Sequence, residues 1–571
     1  MSSRPPAGVG RPVRSREVAN TPQLVIVIVL LLAAYLVVLL VRPLFIPDEV
    51  RYGEIAREMI ASGDWIVPRL NGLLYFEKPP LGYWLNALSL LIFGDNGFAV
   101  RFSSLVAVAA SASLVYALGR PILRDRQAAL FAVIVYITTF EVYGVGTYGL
   151  LDSVFAATLN AGIAAVATAL SAQGRRRLGW LVSGGICFGL GFLTKGFLAF
   201  VLPVLILAPW FALQRKSGFL IRRGWIVVFA ALAVAMPWSL SIQLREPDFW
   251  HYFFWIEHVQ RFAGDNAQHK AAAYYYIALL PIVAFPWIFL LPAAVRSLRR
   301  SGFSAAFPGV LSLLILWMVA PLIFFSIAHG KLVTYLLPCF VPFALLIAAG
   351  LSRMDERGGW LRAGLLGACT VPILSLVGVL WLQFLAVDVT GYAPTEAAKL
   401  GTLLVTLLAC VAILCYGAYT DKPVRLLSPG LAMGFLIAVW PWIIPVEALH
   451  HKAPIAFIDD VYTRVPGDAA IVTDAALEGA VSWALKRDDI YVDGSGGETR
   501  YGLGAADARG RQLSRDDFRA LIRSRNILLF CTGECPADAR GLISDTASVW
   551  RYGAMEARYL PIVTGPPSGP D

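Results

Sequence analysis

Six short motifs place acids and bases at the edges of long apolar runs. Asp48 and Glu49 follow Pro47 in PDEVRY, with Arg51 three residues after Asp48. Tyr75, Glu77 and Lys78 lie in YFEKPP, Asp152 in GLLDS, and Lys195 in LTKGF. His258 and Arg261 share HVQRF, and Lys331 stands four residues before Tyr335 in HGKLVTYLLP. Lysine and arginine can hold a phosphate and stabilise it as a leaving group, while a carboxylate orients or deprotonates an acceptor. Such a mixed set suits a negatively charged, lipid-linked substrate. No GxxxxGKS/T, GxSxG or HExxH motif stands at a useful place, so nucleotide hydrolysis and serine or zinc hydrolase chemistry have no support. Each residue also has a plainer role. Asp48 and Asp152 could cap helices, and Glu77 and Lys78 could be a solvated loop pair. Lys195 and Lys331 could snorkel toward headgroups, and His258 could be a satisfied interfacial histidine. The functional reading rests on convergence, because ionisable groups at membrane depth are costly and several on one face mark a site.

The elements that must position these groups are membrane helices. Of the 571 residues, 58% are hydrophobic and 15% charged, and the mean hydropathy is +0.66. The apolar residues come in uncharged blocks of about 18–22, enough to cross roughly 30 Å of hydrocarbon. They predict an α-helical polytopic membrane protein with about thirteen transmembrane helices. The spans fall at 24–46, 99–119, 128–145, 153–171, 179–194, 197–213, 225–243, 274–295, 307–328, 332–350, 362–386, 399–419 and 426–446. The formal charge of +10 does not argue for nucleic acid, because the basic residues fall in short clusters between apolar blocks. With the N-terminus cytoplasmic, the basic connections 120–127, 173–178, 214–224, 296–301, 351–361 and 420–425 all fall on the cytoplasmic side. All six motifs then share the outer side.

The predicted organisation is a cytoplasmic disordered arm (1–23), a transmembrane domain (24–447) and an outer α/β domain (448–571). The outer loop 47–98 opens with an amphipathic stretch (Val50, Ile55, Met59, Ile60). The loop 244–273 carries DFWHYFFW, suited to the headgroup layer. In the tail, the β-like runs AAIVTD, DIYVDG and NILLF alternate with the helical ALEGAVSWALK and DDFRALIRSR. An odd number of spans puts that tail outside, where Cys531 and Cys535 of CTGEC could form a local disulfide.

PDEVRY, GDWIVPRLNGLLYFEKPPLGYW at 63–84, YGLLDS, LTKG, HVQRF and GKLVTYLLP together resemble the protein mannosyltransferase-like, GT-C-fold glycosyltransferases. Within that group the likeness is to the lipid A aminoarabinose transferases, over about residues 24–450, and YFEKPPLGYW is its most specific part. The resemblance implies transfer of 4-amino-4-deoxy-L-arabinose from undecaprenyl phosphate to a lipid A phosphate. The reaction would run on the periplasmic face of a bacterial inner membrane, conferring polymyxin resistance, with no nucleotide sugar and no required cofactor. By the same resemblance Asp48 is the catalytic carboxylate and Asp152 a second functional acid. Lys78, Lys195 and Arg261 would hold the phosphate, Arg51 and Lys331 would also bind substrate, and Tyr75 and Tyr335 would line the donor site. Glu77 and His258 are the pair to test for a divalent metal. An acceptor phosphate, with a second pKa of about 6, is already largely ionised at neutral pH. Asp48 is therefore expected to orient groups, or to bind the sugar's ammonium or a developing cationic centre, as much as to take a proton. Two other readings are transfer of a different lipid-linked sugar to lipid A or protein, and a lipid-linked-sugar flippase. Transporters often show paired halves and midplane charges, and neither is visible here.

Overall fold

The computed structural model describes residues 19–260, 270–354, 359–385, 391–494, 496–505, 508, 510–533 and 548–562. The first helix, α1 (Thr21–Val41), starts at a capping box in which the Asn20 side chain accepts from the Gln23 amide at 3.0 Å. It runs to the cavity side of the molecule, where α2 (Asp48–Ser62), the hairpin β1 (Arg69–Leu70) and β2 (Leu73–Leu74), and α3 (Leu81–Phe93) form a platform. Next come α4 (Gly97–Leu123), α5 (Arg126–Ile137), α6 (Phe140–Gly146), α7 (Leu151–Ala169), α8 (Gly174–Lys195), α9 (Leu198–Leu213) and α10 (Ser217–Arg245).

Among the described residues ten helices are long and apolar enough to cross a membrane, so the chain is a multi-span membrane protein. Two further pairs, α5 with α6 and Tyr275–Val283 with Trp287–Arg300, are bent by 65° and 95°, and make twelve if each is one span. The remaining predicted span, 197–213, is α9, whose 16 residues fall short of the usual ~20. Length alone therefore does not reach thirteen. The first bend has a local cause: Thr138 and Thr139 turn their hydroxyls back onto the carbonyls of Ile134 and Val135, which loosens a helix. The two bent pairs also lock together. Phe140 N–H donates to the Phe285 carbonyl at 2.9 Å, and Trp287 Nε1 donates to Thr138 Oγ1 at 3.0 Å. Backbone groups freed by the breaks thus find partners inside the bundle, as a membrane interior requires.

The tail folds as a six-stranded sheet ordered β5-β4-β3-β6-β8-β7. Its strands are β3 (Ala470–Asp474), β4 (Tyr491–Asp493), β5 (Gln512–Leu513), β6 (Ile527–Thr532), β7 (Ser548–Tyr552) and β8 (Met555–Leu560). The first four are parallel and the last two antiparallel, so the α/β reading of the tail holds, with an antiparallel edge that the sequence did not suggest. Cys531 is disulfide-bonded, and Cys535 lies outside the described residues.

The sheet domain docks on the platform. Helix Glu478–Leu485 packs along α2, so α2 is covered on both flanks rather than on the single predicted face. At the hairpin tip, Asn71 takes a left-handed φ of 55° and is fully buried in the domain. It donates to Glu478 (3.0 Å) and the Ile490 carbonyl (2.9 Å), and accepts from Ile490 N–H (3.0 Å) and Arg511 (2.7 Å). One asparagine thereby pins the loop to the domain.

Candidate active site

A cavity of about 470 Å³ opens where α2, the YFEKPP loop, the start of α7, the end of α8 and the segment after Pro308–Ile327 converge. Asp48 is the first residue of α2, and it caps nothing. Its carboxylate bonds Arg51 one turn on, and Arg51 also bonds Glu498, which the sheet domain lowers into the cavity. The neighbouring acid, Glu49, faces the other way. It is fully buried between Arg42 (2.6 Å) and Arg101 (2.7 Å) and accepts from the amides of Phe45 and Gly149. Burial favours its neutral form, but the two arginines outweigh this and hold its carboxyl below the usual range. Charge is thus buried away from the cavity as well, in this Arg42–Glu49–Arg101 cluster.

On the opposite wall, Asp152 pairs with Lys195 at 2.6 Å, which sets aside the capping and snorkelling roles for both. The Lys195 ammonium also stands 5.2 Å from the centre of the Tyr335 ring. Gly196, with φ of +70°, ends α8 immediately after Lys195; a Cβ there would meet the Phe253 ring at 2.5 Å. Lys78 bonds the Glu77 carbonyl at 2.9 Å and reaches Glu257 at 3.6 Å. The Tyr75 hydroxyl lies 2.9 Å from Glu498 and 3.4 Å from Glu77. Burial pushes the Asp48 carboxyl up, with Arg51 opposing and Glu498 adding. Burial, then Glu498 and Glu257, push Glu77 up to about 7. Burial would raise Glu498 too, but Arg51, Tyr75 and Lys78 hold it below the ordinary value.

Of the residues singled out from sequence, Asp48, Arg51, Glu77, Lys78, Asp152, Lys195, His258 and Tyr335 line this one cavity, and Tyr75 joins it through Glu498. Lys331 does not line it: its buried ammonium turns back onto the Ala328 carbonyl, while Gly330 and Leu332 form the wall. Arg261 lies outside the described residues. Glu77 and His258 share the cavity, but His258 Nδ1 sits 2.8 Å from the Phe253 carbonyl. Among the described residues no group of three or more His, Cys, Asp or Glu side chains could hold a metal ion, so no third ligand joins the pair there. The aromatic loop differs from a headgroup belt. Phe249 and Phe253 are fully buried against Phe76, Trp238 and Phe197, while Phe254 and Trp255 are exposed. Two lining carboxylates were missed. Glu257 adjoins His258 and was within reach of the same motif; Glu498 had no local signal at all.

The profile of the dolichyl-phosphate-mannose-protein mannosyltransferase family matches residues 21–253, and that of the arabinosyl transferase ArnT C-terminal domain matches residues 449–529. The undecaprenyl phosphate-α-4-amino-4-deoxy-L-arabinose arabinosyl transferase of Aeromonas hydrophila is 39% identical, over 86% of this chain and 89% of its own. The like-named protein of Edwardsiella ictaluri is 39% identical over 86% and 90%, and that of Shewanella sediminis 37% over 88% and 92%. Among solved structures, ArnT from Cupriavidus metallidurans bound to undecaprenyl phosphate superposes with a TM-score of 0.81 at 22% identity, covering 96% of this chain and 100% of that one. Its apo form gives 0.76. These structures share the fold. The sequence relationship runs through both the bundle that holds Asp48 and the domain that supplies Glu498, and on that ground the chain belongs to the undecaprenyl phosphate-aminoarabinose arabinosyl transferase family.

Proposed function

We propose that this glycosyltransferase moves 4-amino-4-deoxy-L-arabinose from undecaprenyl phosphate to a phosphate of lipid A, on the periplasmic face of the bacterial inner membrane. The observation that carries this reading is the make-up of one cavity. Carboxylates and cations line one part, and Leu198, Phe324, Phe325, Leu332 and Val333 supply an apolar wall for a lipid chain. The positive-inside count supports the periplasmic side. In the reaction an acceptor phosphate oxygen attacks the sugar's anomeric carbon, and the bond from that carbon to the donor phosphate breaks. The acceptor phosphate goes from dianion to monoanionic diester while the donor phosphate makes the reverse change. No proton need move, and a negative charge passes from acceptor to leaving group. Lys78 and Lys195 are suited to receive it, and Asp48, tied to Arg51, is suited to face the cationic sugar centre. The reading needs no cofactor.

The test is transfer by the purified full-length chain from synthetic donor to lipid A, read by mass spectrometry. Asp48→Asn should lower the rate by about 100-fold or more with an unchanged elution profile. Full activity in that variant removes Asp48 from the chemistry. A product carrying a different sugar overturns the donor assignment, and EDTA should leave the rate unchanged.

A further inference from the structure

The cations of the cavity are unevenly shared. Among the described residues lining it, Asp152 takes Lys195, Asp48 and Glu498 share Arg51, and Lys78 goes to Glu257. Glu77 has none of them: no basic side chain among the described residues lies within ion-pair distance of it, although it is only 5% exposed. Its polar contact is the Tyr75 hydroxyl at 3.4 Å, and Tyr75, with one proton to give, makes its shorter bond of 2.9 Å to Glu498. An enclosed carboxylate without a cation is costly unless a ligand supplies one. An aminosugar does supply one, as a compact ammonium with three N–H donors.

We propose that Glu77 and Glu498, bridged by Tyr75, receive the ammonium of the donor sugar and set the preference for an aminosugar over a neutral sugar. The proposal rests on the transferase reading above. It assigns the sheet domain a direct part in substrate choice, because Glu498 comes from that domain and is held in place from behind. Its neighbour Thr499 donates to Glu478 at 2.7 Å, and Glu478 in turn is bound by Asn71 of the hairpin. The position of Glu498 is therefore fixed relative to the YFEKPP loop that carries Glu77 and Tyr75. Burial, then Glu498 and Glu257, push the Glu77 carboxyl up to about 7 against the opposing pull of Lys78 and Arg51, which fits a group with no ion-pair partner of its own. Binding a cation there would favour the ionised form.

The experiment uses the full-length enzyme in proteoliposomes with lipid A and two synthetic undecaprenyl phosphate donors. One carries 4-amino-4-deoxy-L-arabinose and the other L-arabinose, in which a hydroxyl replaces the ammonium. The wild type should prefer the aminosugar donor by at least about tenfold in kcat/KM, mostly through KM. Glu77→Gln and Glu498→Gln should each bring that preference to within about threefold, and Glu498→Asp should retain part of it. Because both donors are measured on one preparation, loss of folded protein cancels in the ratio. Equal use of the two donors by the wild type, or full preference in either Gln variant, overturns the proposal. A wild type that transfers neither sugar to lipid A overturns the transferase reading instead.

Discussion

Asp48 and Glu49 stand one position apart on α2, so about 100° of helix rotation separates them. That rotation sends one acid to the cavity and the other into a fully buried cluster with Arg42 and Arg101. Glu49→Gln should therefore act on stability, stranding two buried guanidinium groups at a cost of about 3–5 kcal/mol, visible as a large drop in Tm and yield. Asp48→Asn should leave Tm nearly unchanged and remove transfer; equal Tm losses in the two variants would show that the acids are not divided in this way. The acid pair itself was legible in PDEVRY, but the division was not, because Arg101 joins from 52 residues away. Glu498 was illegible for the same reason, being 423 residues from the Tyr75 hydroxyl it meets. Glu77 carries a pH prediction. With its carboxyl pushed up to about 7, it is neutral below that pH and charged above it. KM for the aminosugar donor should fall as pH rises through about 7, and Glu77→Gln should flatten that dependence; an unaltered KM profile in the variant would remove Glu77 from the binding step.

Between residues and the whole molecule stands the join of hairpin and sheet domain. The strands β3 and β6 were legible because parallel strands buried on both faces read as short apolar runs, and β4, where only Val492 is fully buried, because its Tyr491 and Val492 favour strand. β7 and β8 were not, since charges stand along them: Arg551 reaches Glu556 at 3.1 Å, and Arg558 bonds the same carboxylate. Nor does any sequence pattern show that Asn71 plugs into the domain. The acid it meets, Glu478, is buried, and burial pushes its carboxyl up to about 7 from an ordinary 4.5, with Thr499 and Asn71 opposing. The folded protein then holds a proton that the unfolded chain has released, across the window from about 4.5 to 7. Glu478 therefore favours folding most at the acid end, and its contribution is lost as pH rises through that window. Glu77 adds a change of the same sign. Thermal unfolding of the detergent-purified protein at pH 5 and 7.5 should show a larger fall in Tm for the wild type than for Glu478→Gln. Equal falls would mean that Glu478 does not titrate in the join.

At the scale of the molecule, sidedness follows from contacts rather than from counting. The sheet domain rests on α2, so both lie at the same end of the bundle whatever the number of spans. Lys195 and Leu198, at the junction of α8 and α9, line the cavity at that end. Arg245 closes α10 and pairs with Asp64 of the outer loop at 2.8 Å, so the α9–α10 hairpin both begins and ends there. α10 has 29 residues, ample to cross, and the chain must reach the far side along α9 before α10 can return. At 1.5 Å per residue α9 spans only about 24 Å, a shortfall that local thinning of the bilayer can absorb. The expectation is therefore that α9 crosses despite its length. Single cysteines at exposed sites test this in spheroplasts treated with a membrane-impermeant maleimide. Asp516→Cys, on the sheet domain, should react in intact spheroplasts. Arg175→Cys, in the first turn of α8, and Lys216→Cys, after α9, should react only after lysis. Labelling of Lys216→Cys from outside would mean that α9 turns back without crossing, and labelling of Asp516→Cys only after lysis would place the whole active site on the cytoplasmic face.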